Sequence, residues 1–115
     1  MVTKVREVEP KDLYYLYSDA LNRCRIELLS ADDETIEYEI FEEFDIEAVS
    51  FLHPEALMKL FQSGYISEEK MKKSEQLREL VDSLRENEEW SLESFRHSKN
   101  WVAVLEMAEQ IRRLK

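Results

Sequence analysis

The sequence predicts an all-α fold, a single helical domain over residues 1–115 arranged as a bundle of five to six helices. Three observations lead there. The 115 residues contain one glycine (Gly64) and two prolines (Pro10, Pro54), too few for the frequent tight turns of a sandwich or barrel. Apolar residues recur three and four apart along most of the chain, the period of a helix with one buried face. Ser or Asp stands just before several of these runs, where a helix start needs a side-chain acceptor.

The first helix is read over 11–29. In KDLYYLYSDALNRCRIELLS, Asp12 follows Pro10 as the start, and Leu13, Leu16, Tyr17, Ala20, Leu21, Cys24 and Leu28 share a face. The next stretch, DDETIEYEIFEEFDIE (32–47), admits two readings. As a helix capped by Asp32 or Asp33, it places Ile36, Ile40, Phe41, Phe44 and Ala48 on one broad face. As a strand, it alternates Ile36, Tyr38 and Ile40 against Glu37 and Glu39, giving an α+β alternative with a short hairpin around 24–41. The intervening ADDE lacks the Gly or Asn of tight hairpins, and Phe41 breaks the alternation, so the helix is preferred.

Further along, HPEALMKLFQSG has Pro54 in a first turn, Leu57, Leu60 and Phe61 facing in, and Gly64 placed to end the helix. Ser67 then caps a helix whose inner stripe is Met71, Ser74, Leu77, Val81 and Leu84, widened by Leu80. Glu68 and Glu69 suit the positive end of its dipole. SLESFRHS is a short helical turn or bend. Ser98 opens the last helix, with Trp101, Val104, Leu105, Ala108, Ile111 and Leu114 inward, and Arg112, Arg113 and Lys115 at its negative end.

The formal charge of −10 is concentrated rather than spread. From residue 26 to residue 58 the chain carries eleven acids and neither Lys nor Arg. Nine of the 26 acids fall within residues 31–50, leaving seventeen against 16 bases elsewhere. Direct nucleic-acid binding needs clustered Lys and Arg and is not expected. Cys24 is the single cysteine, so no internal disulfide forms, which suits a reducing cytoplasm. The N-terminal MVTKVREVEP has no apolar core of a signal peptide, and no apolar run spans a membrane.

Enzyme chemistry finds no motif. His53 and His97 are the two histidines, and Cys24 falls on a buried face with no third group marked to orient a base. Ser50 and Ser94 stand where Glu-x-x-His iron ligands need glutamate. The acidic stretch lacks the alternating ligands and central glycine of a calcium loop. Neither metal nor cofactor is expected, and the protein is read as non-catalytic.

The run FLHPEALMKLFQSGYISEEKMKKSEQLRELV, the spaced tryptophans of EEW and KNW, and the closing amphipathic helix resemble small acidic helical immunity proteins of bacterial toxin–immunity systems. The resemblance covers about residues 41–115 and carries no functional residues across. It implies a cytoplasmic antitoxin that covers the active site of a cognate toxin, often a nuclease. The residues themselves place the binding face at Glu37, Tyr38, Glu39, Glu42, Glu43, Asp45 and Glu47. Their carboxylates would stand in for phosphates before a basic protein partner, with Tyr38 as an apolar anchor. The expected state is a monomer. Two other readings are an adaptor or oligomerisation module anchored by Trp90, Phe95 and Trp101, and a nucleic-acid mimic directed at a restriction or recombination protein.

Overall fold

A computed structural model describes residues 8–114. The N-terminal residues read above as lacking a signal peptide (1–7), and Lys115 of the last turn, lie outside them. Helix α1 (Pro10–Arg23) starts earlier than expected. Glu9 is the N-cap, Pro10 fills the first helical position, where a missing N–H does no harm, and Asp12 lies in the first turn.

α1 also ends before residue 29, and no Gly or Pro marks the break. The carbonyls of Leu21 and Cys24 instead accept hydrogen bonds from Arg112 Nη1, which lies 3.0 Å from the Cys24 oxygen. A guanidinium from the far end of the chain thus satisfies carbonyls that the helix leaves open. Ile26–Ser30 continue as a 3₁₀ turn that keeps Leu28 in the core.

Asp32 caps the next helix, its carboxylate accepting from the Thr35 N–H at 2.8 Å, and hydrogen bonds from the Thr35 side chain first and then from this N–H lower its pKa. From there the chain runs as one rod in three pieces: α2 (Asp33–Ile36), a π-helical segment (Glu37–Phe44) and α3 (Asp45–Phe51). Helical dihedrals at Ile36, Glu37, Phe44 and Asp45 make the rod continuous. The hairpin alternative is therefore excluded. The widened turn itself was not expected, and it has a packing cause. Ile36, Ile40, Phe44 and Ala48 recur every four residues, and all are buried. That spacing overshoots the 3.6-residue α-turn, so the row would drift off the core on a regular α-helix. The looser i→i+5 turn keeps it facing one side.

Helix α4 (Pro54–Gln62) is capped by His53, whose Nδ1 accepts from the Glu55 N–H at 3.1 Å. It ends at Gly64, where φ is +81°. Ser67, Ser91 and Ser98 cap α5 (Glu68–Glu86), α6 (Leu92–His97) and α7 (Lys99–Arg113). Counting α2, the π segment and α3 as one, the described residues form six helical rods and no strand. The all-α expectation holds.

Every rod contributes to one apolar cluster. α7 lies against α5 and α1, and the acidic rod packs on α1. Trp101 and Phe95 are fully buried, so they are core residues and cannot anchor an adaptor. Phe41 and Trp90 are half-buried beside them, with the Trp90 and Trp101 rings 4.9 Å apart. Trp101 Nε1 donates to the Glu89 carbonyl at 2.7 Å. Truncating Trp101 to alanine would cost about 3–5 kcal/mol. The polar break in α5's stripe is satisfied as well. The Tyr17 hydroxyl lies 2.6 Å from Ser74 Oγ, which donates to the Lys70 carbonyl at 2.8 Å. Burial pushes the Tyr17 pKa up to about 12, against the opposing pull of that serine. Among the described residues no helix is long and apolar enough to cross a membrane.

Candidate functional site

The acidic rod presents two different flanks, and the widened turn creates the difference. Residues 39, 43 and 47 follow the same four-residue spacing as the buried row, so they also form a line along the rod. That line faces α1, and one guanidinium meets all of it. Arg23 Nη1 is 2.8 Å from Glu39 Oε2, Nη2 is 3.9 Å from Glu43 Oε2, and Nε is 2.8 Å from Glu47 Oε1. Asp19, one turn earlier on α1, adds a fourth carboxylate at 3.3 Å.

This geometry corrects part of the expected binding face. Glu47 is only 7% exposed, and it belongs to the α1 junction rather than to an outward surface. Glu39 is hydrogen-bonded to the same guanidinium, and Glu43 pairs with it more loosely at 3.9 Å. Asp45 lies on another side, 2.7 Å from Arg85 Nη2, close enough for an ion pair although the contact is not aligned as a hydrogen bond. Arg85 in turn sits over the Trp90 ring, 4.1 Å from its centroid. Asp33 is likewise held, at 2.6 Å from Arg96.

What remains outward is narrower. Glu34, Glu37 and Glu42 are exposed, and Tyr38 between them keeps half of its surface in solvent. No Lys or Arg of the described residues forms an ion pair with these three glutamates. Of the seven expected residues, Glu37, Tyr38 and Glu42 thus share the open flank, while Glu39, Glu43, Asp45 and Glu47 do not.

The closed flank has its own electrostatics. Four carboxylates surround a single positive charge, and one of them is buried. Desolvation first, and then the neighbouring Asp19 carboxylate, push the Glu47 pKa up to about 7 against the pull of Arg23. Burial works against the Arg23 charge too, but its bonds to Glu47 and Glu39 more than offset this and hold the guanidinium firmly charged. The like-charge repulsion of glutamates spaced four apart is answered inside the molecule.

Arg23 and Asp19 were not among the expected site residues. A signal was present: an Asp–Arg pair four apart on α1, and acids and apolar residues both repeating every four positions in 36–48. Elsewhere, Cys24 is buried and its thiol pKa is driven upward by desolvation. His53 serves as a helix cap, and His97 is exposed. Among the described residues no group of three His, Cys, Asp or Glu is arranged to hold a metal ion.

No protein family, curated protein or solved structure was found to match this chain.

Proposed function

We propose that this chain is a non-catalytic inhibitory binding protein, an immunity protein or antitoxin in kind, that neutralises a basic, nuclease-like toxin. Its contact surface is the open flank of the acidic rod, centred on Glu37, Tyr38 and Glu42 with Glu34 beside them. The observation that carries this reading is the division of the rod. Arg23 neutralises one flank, and the other is left with uncompensated carboxylates around a half-exposed aromatic ring.

The physical advantage of that division is rigidity. Arg23 and the buried row fix the rod on α1, so the backbone that carries the open carboxylates needs no further ordering on binding. A surface of one sign steers an oppositely charged partner and raises the association rate, an effect that salt screens beyond roughly 8 Å at physiological strength. Occluding a cationic groove requires no chemistry from the inhibitor.

The test uses the double reversal Glu37→Lys/Glu42→Lys. Reversal at Glu39 and Glu43 is unsuitable, because it would set ammonium groups against Arg23 and loosen the fold. In low-salt capture from the native lysate, the wild type should retain a basic protein that added salt releases. The reversed variant should fail to retain it while keeping the same helical circular dichroism. Equal retention of that protein by both baits would rule the acidic flank out as the contact surface.

A further inference from the structure

Tyr38 is the one aromatic side chain on the open flank, and it already holds a cation. The guanidinium carbon of Arg23 lies 5.8 Å from its ring centroid, on the side of α1. The same guanidinium bonds the Glu39 carboxylate at 2.8 Å. An aromatic ring and a carboxylate thus bracket a planar cation within the molecule itself. With half of its area in solvent, the ring still has a surface to offer. Glu34 and Glu42 lie four positions before and after Tyr38, the spacing of neighbours along one helix face, and both carboxylates are exposed and without an ion pair.

We propose that this face docks an arginine-bearing segment of the partner, with one guanidinium stacked on the open part of Tyr38 and its N–H groups directed to Glu34 or Glu42. The inference rests on the acidic-flank reading above and specifies the chemistry of the group recognised. Charge alone would accept lysine equally. The combination of ring and flanking carboxylates does not. A guanidinium is planar, weakly hydrated and able to stack while its fork of N–H donors reaches a carboxylate. An ammonium is compact and strongly hydrated, and it gives up more solvent to lie against a ring. Arginine is accordingly the commoner cation over aromatic faces.

The probes are hexa-arginine and hexa-lysine peptides, titrated at low ionic strength into the intact protein and into Tyr38→Leu, which preserves every charge. On the wild type the arginine peptide should bind about two- to fivefold more tightly than the lysine peptide, the increment an exposed cation–π contact supplies. Tyr38→Leu should bring the two affinities together while leaving the lysine peptide unchanged. Glu34→Gln/Glu42→Gln should weaken both peptides. Equal affinities on the wild type would overturn the guanidinium assignment, an arginine preference that survives in Tyr38→Leu would overturn the stacking on the ring, and either result would leave the acidic flank standing. If neither peptide binds, the acidic-flank reading falls with it.

Discussion

Gly64 and Glu88 occupy the same backbone position in two helix ends, and they meet its demands unequally. After α4, Gly64 takes φ +81°, and the Tyr65 N–H reaches back to the Leu60 carbonyl at 2.9 Å. After α5, Glu88 takes φ +60°, and the Glu89 N–H reaches the Leu84 carbonyl at 2.8 Å. Both are left-handed caps that satisfy terminal carbonyls. Glycine adopts that conformation freely, whereas a residue with a Cβ loses roughly 1 kcal/mol or more. Glu88→Gly should therefore raise the unfolding free energy by about 1 kcal/mol, and Gly64→Ala should lower it by about as much. A Cβ at Gly64 would meet nothing within 4 Å, so only the backbone term enters there. Urea midpoints at constant slope would check both. The first cap was legible because glycine announces it. The second was not, because a glutamate carries no preference for the conformation that tertiary packing imposes on it.

At the scale of the element, the acidic rod and α1 hold each other through Arg23. Replacing Arg23 by Gln would leave buried Glu47 among three other carboxylates. A loss of about 2–3 kcal/mol is expected, less than for a fully buried pair because the guanidinium retains some solvent contact. The urea midpoint again measures it. Glu47 also makes the junction pH-dependent. Its folded pKa of about 7 lies above the ordinary glutamate value of 4.5, so the folded state binds this proton more tightly than the unfolded chain. The resulting stabilisation is complete below about pH 4.5 and is lost as pH rises through 7. Relative to Glu47→Gln, the wild type should accordingly gain about 2 kcal/mol between pH 8 and pH 5. A constant difference between the two proteins across that range would show that Glu47 does not titrate there.

For the whole molecule, the relevant quantity is the −10 charge and where it lies. Arg23, Arg85 and Arg96 each neutralise acids brought to them from distant sequence positions, yet the total remains far from balanced. Self-repulsion of a compact anion opposes folding, and salt screens it. Thermal midpoints should therefore rise as sodium chloride is added. A fall would mean that the internal ion pairs outweigh the net repulsion. The same screening should weaken partner binding, so salt is expected to move stability and association in opposite directions.

Periodicity, caps and composition determined the helical class, most inner faces and the placement of the negative charge within 31–50. Those are local properties, set by 3.6-residue spacing and by the few residues able to start or stop a helix. The division of that charge into a neutralised flank and an open one was decided only by tertiary structure. It depends on α1 bringing Arg23 against positions 39, 43 and 47, and on a core contact that favours a wider turn than any local preference would select. Arg112 ends α1 from the other end of the chain for the same reason. A side chain's partner across a helix crossing is a matter of packing geometry, and the spacing of neighbouring residues in sequence does not fix it.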